Sequence, residues 1–262
     1  MQEPQQPTPE APKPQIYNYS GQPIALQAIC AEAEMGEFGL ACSEDDPCPV
    51  YLELASIEAA GAKLFVAGNL HTESATLWSI LLVSEDAGRS WTEAQQRLRG
   101  VALDQLQFPD SATGFAAGRT AGTLPRDPFL LRTADGGNSW RRVPLFEEGA
   151  VGLVESLHFE SPTQGRVTVD RGRRGIGHYA ILETTTSGDT WTVRETSATR
   201  VASVAGAPQQ DWRITIDAAS KSYRIEHRQG TGWSKASAFA VGAGACRPAP
   251  RKAPAEPPPQ ER

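Results

Sequence analysis

The stretch Ser84-Glu85-Asp86-Ala87-Gly88-Arg89-Ser90-Trp91 decides the predicted fold, because the chain repeats it. A second copy reads Thr133-Ala134-Asp135-Gly136-Gly137-Asn138-Ser139-Trp140. Both copies place a hydroxyl residue, an Asp, a Gly and a Trp at the same offsets. A third copy, residues 184–191, keeps the hydroxyl, the Gly and the Trp but has Thr186 where the Asp stood. We call each copy a box turn.

The box turns recur at nearly regular intervals. Their tryptophans, Trp91, Trp140, Trp191 and Trp233, are separated by 49, 51 and 42 residues, and the fourth copy keeps only Gly230 beside its Trp. A period in this range is typical of repeat architectures. A short apolar run precedes each copy, which predicts a strand there. Because helical periodicity is nearly absent, we expect an all-β chain of repeated small sheets.

The residue types of the box suit a hairpin turn. Asp and Ser or Thr side chains accept hydrogen bonds from nearby backbone N–H groups. Gly permits positive φ where the chain reverses, and Trp offers a large apolar body to the neighbouring sheet. The residues predicted to have this structural role are Ser84, Asp86, Gly88, Trp91, Thr133, Asp135, Gly137, Trp140, Thr184, Gly188, Trp191, Gly230 and Trp233.

The first two copies resemble the Asp-box, or BNR, repeat of sialidase-like β-propellers and of propellers of the photosystem II assembly-factor type. The resemblance implies that each box joins the third and fourth strands of a four-stranded antiparallel blade, and that its role is structural. Four blades are expected. A fifth, composed of residues 16–49 and 237–246, remains open.

The two ends of the chain differ from the middle. Residues 1–14 and 247–262 are rich in Pro and poor in apolar residues, which predicts disordered tails around a propeller domain at 15–246. No leader peptide follows Met1, and the longest apolar run, residues 77–83, is too short to span a bilayer. The Pro-rich start is nevertheless similar to the stalk of an exported or lipid-anchored protein. A cytoplasmic protein is the alternative.

The four cysteines bear on the compartment. Their spacing does not fit a zinc site, and four cysteines allow three pairings. We favour Cys42–Cys48 together with Cys30–Cys246, which would tie the first strand to the last. Four free thiols in the cytosol are the alternative.

The loops at the opposite end of the strands from the box turns form the predicted recognition surface, here called the loop face. These loops, at residues 69–76, 119–128, 170–178 and 218–221, are longer than hairpins need, and such loops commonly carry binding. They predict a mainly basic surface on an acidic protein of net charge −6, suited to an anionic partner. A solvated loop without a partner is the alternative. The candidate binding residues are His71, Arg119, Arg126, Arg171, Arg173, Arg174 and His178.

No catalytic, metal-binding or cofactor-binding residue is predicted. Sialidases carry an early Arg-Ile-Pro motif that is missing here, and Asp127 and Asp170 could form the carboxylate pair of a glycosidase only by an accident of loop position. Nucleophile-elbow and phosphate-loop motifs are missing as well, and the acidic composition argues against nucleic acid. We therefore expect a non-catalytic scaffold or assembly protein that binds a protein or an anionic ligand such as a glycan. A sialidase-like glycan-processing or glycan-binding protein is the alternative.

Overall fold

The computed structural model describes residues 15–122, 124–172, 177–200 and 211–248. The predicted tails at 1–14 and from 249 onward lie outside these ranges. The sequence also predicts a first strand of blade four at residues 201–205, and these residues lie outside the described ranges as well. A single short helix, α1, spans Glu32–Glu37 within the described ranges. The strands are β1 (Tyr17–Asn18), β2 (Cys48–Ala60), β3 (Lys63–His71), β4 (Thr76–Ser84), β5 (Ser90–Glu93), β6 (Leu98–Arg99), β7 (Val101–Gln107), β8 (Gly114–Thr120), β9 (Arg126–Thr133), β10 (Arg141–Pro144), β11 (Leu153–Phe159), β12 (Gly165–Asp170), β13 (Tyr179–Thr184), β14 (Thr192–Ser197), β15 (Trp212–Asp217), β16 (Ser222–Gln229), β17 (Gly232–Ala240) and β18 (Gly242–Cys246).

Four antiparallel sheets follow one another along the chain. Blade one contains β2 to β5, blade two β7 to β10, blade three β11 to β14, and the described part of blade four β15 to β17. Each sheet is a meander in which consecutive strands pair. The prediction of an all-β propeller with small antiparallel blades is confirmed.

Apolar side chains fill the spaces between successive blades. Phe65 and Leu103 belong to the cluster between blades one and two, and Phe115 and Phe159 to the cluster between blades two and three. The latter two rings stack with centroids 3.5 Å apart. A third cluster, with Phe239, joins blade four to blade one and to the N-terminal segment. Within the described ranges, no apolar cluster joins blade three to blade four.

A second repeat lies in the first strand of blades one, two and three. Each of these strands carries a β-bulge, at Ala55, Asp104 and Glu155. The bulges are 49 and 51 residues apart, the same steps that separate the first three box tryptophans. The bulge residue is acidic in blades two and three, where it is Asp104 and Glu155. A bulge changes the direction in which its side chain points.

Side-chain amides of blades one and two each reach the first strand of the next blade. The Gln105 amide in β7 donates to the Val154 carbonyl at 3.0 Å, and its oxygen accepts the Leu157 N–H at 3.1 Å. The Asn69 side chain of blade one makes an equivalent pair of hydrogen bonds to β7. Its amide oxygen accepts the Leu103 N–H at 2.9 Å, and its amide nitrogen donates to the Leu103 carbonyl at 3.3 Å. These amides satisfy backbone groups that would otherwise form a bare sheet edge.

The two ends of the described chain extend blade one and do not form a separate sheet. Strand β1 pairs with β5, β18 pairs with β2 and β6 pairs with β4, so the first sheet has seven strands. The sequence predicts a strand at residues 24–29, but in the structure these residues contribute only isolated parallel bridges, from Ile24 to Phe239 and from Ala28 to Gly244. A Cβ at Gly244, whose φ is +113°, would lie 3.0 Å from the Ala28 carbonyl oxygen. The fifth blade therefore has no sheet of its own in the described chain.

Two disulfides fasten this junction. Cys30 is bonded to Cys246 across a sequence separation of 216, and Cys42 to Cys48 across a separation of 6. The first bond ties the N-terminal segment to β18, beside the edge of β2. The described cysteines are all paired.

Helix α1 lies in a loop for which no helix was predicted. The Glu34 carboxylate accepts the Ala31 N–H at 2.8 Å at the start of the helix. Arg99, which precedes blade two, forms salt bridges to Glu34 at 2.7 Å and to Glu37 at 3.0 Å. Six residues are too few to show a helical period, so these long-range contacts explain why the sequence pattern missed the helix.

Candidate functional site

The first box turn is closed by hydrogen bonds among its own residues. The Ser84 hydroxyl oxygen accepts the Gly88 N–H at 2.8 Å and donates its proton to Asp86 at 2.8 Å. Asp86 also accepts the Ser90 N–H at 2.8 Å. The Trp91 indole donates to the Gly88 carbonyl at 3.0 Å. The chain reversal is thus held by side chains where ladder bonds stop.

These hydrogen bonds change the acidity of the box carboxylates. Burial opposes ionisation of Asp86, but hydrogen bonds from Ser90, Ser84 and the backbone outweigh it and lower its pKa to about 2. In the second box, hydrogen bonds from Ser139 and then Thr133 lower the pKa of Asp135 to about 2. Both carboxylates are therefore ionised at neutral pH and already saturated with donors.

The third box reaches a similar geometry without an Asp. The Thr184 hydroxyl accepts the Gly188 N–H at 3.0 Å, as its counterparts do. The Thr186 hydroxyl accepts the Thr190 N–H at 2.9 Å, so one oxygen replaces the carboxylate. The Trp191 indole N–H, by contrast, is buried without a hydrogen-bond acceptor.

Each of the first three boxes rests on the preceding blade. A Cβ at Gly137 would lie 2.3 Å from the ring of Phe65 in blade one, and one at Gly188 would lie 3.4 Å from the ring of Phe115 in blade two. A Cβ at Gly88 would lie 3.3 Å from the Ala236 Cβ in blade four. The glycines thus allow close packing between blades as well as positive φ.

The fourth box makes no comparable contact in the described chain. A Cβ at Gly230 would have no neighbour within 4 Å. Trp233 lies instead beneath the guanidinium of Arg213 in its own blade, 4.1 Å from the ring centre. The fourth box thus lacks the hydroxyl residue and the Asp of the other copies, and its Gly230 does not pack on a neighbouring blade in the described chain.

The loop-face candidates occupy several positions. His71 ends β3, Arg119 lies near the end of β8 and Arg126 begins β9, while Arg171 and His178 flank the loop between β12 and β13. Arg173 and Arg174 lie outside the described residues. The His178 ring lies 6.4 Å from that of Tyr179.

An acidic cleft opens between blades one and two. Its volume is about 700 Å³. Its lining comes from the loop between β3 and β4, from His71 to Thr76, and from Arg119 and the residues after it. Glu53 of β2, Glu37 at the end of α1 and the following Phe38 complete the lining. Two of the predicted residues therefore meet here, but among carboxylates and not on a basic surface.

The charges of the acidic cleft are unevenly paired. Arg119 forms a salt bridge with the bulge residue Asp104 at 3.4 Å. Glu37 has Arg99. Glu53 and Glu73, both exposed, have no salt-bridge partner in the part of the chain that the structure describes. Burial raises the pKa of Asp104, and the Glu53 charge adds to this, while Arg119 opposes it.

A second cleft lies at the outer end of blade two, beside the connection to blade three. We call it the arginine cleft. Its volume is about 550 Å³. Its walls combine Pro128, Pro144 and Phe146 with one arginine and three carboxylates, namely Arg142, Asp127, Glu147 and Glu148. The Arg142 guanidinium lies 3.9 Å from the ring centre of Phe129.

Arg142 is the arginine in the wall of this second cleft, and Arg126 and Arg171 adjoin residues of that wall. Arg171 lies 5.6 Å from the ring centre of Phe146. Partial burial lowers the pKa of Arg142, although the residue is exposed as a whole, and the charge of Asp127 opposes the shift. In the described chain, Arg126, Arg142 and Arg171 have no carboxylate within salt-bridge distance. The sequence did not single out Arg142, Glu53 or Asp104, because their partners come from other strands.

The two carboxylates considered for glycoside hydrolysis are both engaged by loop backbone. Asp127 accepts the Gly149 N–H, and its own φ is +48°. Asp170 accepts the Gly172 N–H at 2.8 Å. Within the described ranges, no group of three His, Cys, Asp or Glu side chains is arranged to hold a metal ion. The described helix is too short and too polar to cross a bilayer.

The chain is similar to solved structures at low sequence identity. No protein-family model and no curated protein matches the chain. One similar solved structure is YCF48 from Cyanidioschyzon merolae, at 17% identity and a TM-score of 0.39, covering 72% of this chain and 57% of that one. Another is YCF48 bound to D1 peptide, at 16% identity and a TM-score of 0.40, covering 74% and 60%. The chain thus spans less than two-thirds of the length of the structures that it matches.

Proposed function

We propose that the chain is a non-catalytic propeller scaffold whose loop face binds a protein partner through acidic groups of that partner. The observation that carries the proposal is the arginine cleft. Arg126, Arg142 and Arg171 lie at one edge of the loop face and form no salt bridge in the described chain, although Asp127, Glu147 and Glu148 line the same cleft. An arginine guanidinium offers five donors that match a carboxylate, and its hydrogen bonds to ionised groups are stronger than those between neutral groups.

The proposal gives the box turns a structural role. As Asp-box turns, they brace neighbouring blades and leave the loop face for recognition. Their carboxylates and hydroxyls are saturated by the turn itself, which leaves them little capacity for a ligand. An extracytoplasmic location is also part of the proposal, and the two disulfides support it because such bonds persist in oxidising compartments.

Binding of a labelled hexaglutamate peptide, followed by fluorescence anisotropy, tests the proposal. The double variant Arg142→Gln/Arg171→Gln should weaken binding about fivefold or more. The matched control Arg166→Gln/Arg194→Gln removes the same charge from blade three, where both arginines face Glu183. Equal weakening in the two variants would indicate a response to net charge alone and would contradict the proposal.

A further inference from the structure

The four cysteines of the chain meet at one junction. Cys30 is bonded to Cys246 with Cα atoms 5.0 Å apart, and Cys42 to Cys48 with Cα atoms 5.3 Å apart. The strand register adds a third close pair, because Cys246 at the end of β18 lies opposite Cys48 at the start of β2. Opposite residues of an antiparallel pair have Cα atoms about 4.5 to 5.5 Å apart, which a disulfide can span. Cys48 and Cys246 are therefore possible partners of each other.

The two disulfides differ in their access to solvent. Cys246 is fully buried, and Cys30 is only 8% exposed. Cys42 and Cys48 are partly exposed, and the residues at 43–46 between them are exposed. A thiol reductant can therefore reach the Cys42–Cys48 bond, whereas the Cys30–Cys246 bond is shielded from direct attack.

We propose that the Cys42–Cys48 disulfide is the entry point of a thiol–disulfide relay whose second step opens the buried Cys30–Cys246 bond. In the first step, a dithiol such as that of a protein thiol oxidoreductase reduces Cys42–Cys48 to two thiols and is itself oxidised to a disulfide. In the second step, the Cys48 thiolate attacks the Cys246 sulfur, so that a Cys48–Cys246 bond forms while the Cys30–Cys246 bond breaks. The Cys30 thiolate leaves and takes up the proton that Cys48 lost. The relay goes beyond the proposed function and does not depend on it.

The exchange changes what holds the N-terminal segment. Once Cys48–Cys246 has formed, β18 is tied to β2, and residues 24–30 are held by packing and by backbone hydrogen bonds. One of these runs from the Ala28 N–H to the Ala243 carbonyl at 2.8 Å. Helix α1 begins two residues after Cys30, and its last residue, Glu37, lines the acidic cleft. The relay therefore loosens the segment that carries α1 to the loop face.

Paired serine variants of the full chain test the relay. In Cys42→Ser the free thiol is that of Cys48, opposite Cys246, whereas in the matched control Cys48→Ser it is that of Cys42. Both variants are incubated at mildly alkaline pH and then digested with pepsin in acid, where thiols are protonated and exchange stops. Mass spectrometry should find a Cys48–Cys246 peptide in Cys42→Ser. This peptide should form at least about tenfold faster than a Cys42–Cys246 peptide in the control, because the register positions Cys48 for attack.

Two results with these variants would overturn the relay. One is an intact Cys30–Cys246 bond beside a free Cys48 thiol in Cys42→Ser, and the other is equal exchange in both variants.

Treatment of the parent chain with limiting dithiothreitol is a second measurement that needs no substitution. The Cys42–Cys48 bond should open first, followed by a species in which Cys48 is bonded to Cys246 while Cys30 and Cys42 are free. Hydrogen exchange at the Ala28 amide should be at least about tenfold faster in this species than in the oxidised chain. Earlier reduction of Cys30–Cys246, or opening of both disulfides without this species, contradicts the proposal.

Discussion

The box turns and the loop face use the same kinds of polar residue in opposite ways. In the first two boxes, hydroxyl, carboxylate and backbone N–H groups satisfy one another within seven residues. On the loop face, Glu53, Glu73 and Arg142 form no salt bridge in the described chain. A saturated polar group contributes to stability, whereas an unsatisfied charge in a cleft is free for a ligand.

The difference also explains why the boxes tolerate sequence drift. Thr186 in the third copy still accepts the hydrogen bond that the Asp accepts elsewhere, and that copy remains docked on blade two. The fourth copy has lost both the polar residues and the docking. What a box needs is therefore a donor–acceptor set in the turn together with a neighbouring blade to pack on.

The largest expected effect distinguishes a docked box from an undocked one. Gly137→Ala would place a Cβ 2.3 Å from the Phe65 ring at a φ of +81°, which we expect to lower the free energy of unfolding by about 3 kcal/mol or more. Gly230→Ala has a similar φ of +59° but open space, so about 1 kcal/mol is expected. Urea denaturation measures both variants. Equal losses would show that backbone strain, and not docking on blade one, makes the box glycine necessary.

A smaller effect separates box carboxylates from those of the loop face. Asp86→Ala removes acceptors of hydrogen bonds from Ser84 and Ser90, so the free energy of unfolding should fall by about 2 kcal/mol. Glu73→Ala, at an exposed site without a salt bridge in the described chain, should change it by less than about 0.5 kcal/mol. Thermal and urea unfolding at neutral pH give the comparison. A clear loss for Glu73→Ala would mean that this carboxylate is structural, and the acidic cleft would lose its free charge.

The sequence predicted the boxes because their hydrogen bonds are local. Ser84, Asp86 and Gly88 lie within four residues of one another, so residue type and offset suffice. The Trp period added the blade architecture, since each unit must pack on the next. Even the register of the bulges follows this period, although nothing in the sequence marks Ala55 or Asp104 as bulged.

The character of the loop face could not be predicted in the same way. Whether an arginine is free depends on strands that are distant in sequence. Arg119 seemed available but faces Asp104 across β7 and β8, whereas Arg142 was overlooked and lies over Phe129. The placement of residues 24–29 had the same difficulty, because isolated bridges to Phe239 and Gly244 leave no strand pattern in the sequence.

The smallest effect is in the pH dependence of stability, where the two kinds of carboxylate should have opposite signs. The pKa of Asp86 is lowered to about 2, below its ordinary value of 3.8, so its stabilising effect is complete above about pH 4 and is lost as the pH falls toward 2. The pKa of Asp104 is raised, first by burial, so its ionisation lowers stability as the pH rises through and above 3.8. Urea unfolding from pH 2 to 6 of the parent, Asp86→Asn and Asp104→Asn measures this. The advantage of the parent over Asp86→Asn should grow with pH, while its stability relative to Asp104→Asn should decline. If both differences change in the same direction, Asp104 is paired like a box carboxylate, and Arg119 outweighs its burial beside Glu53.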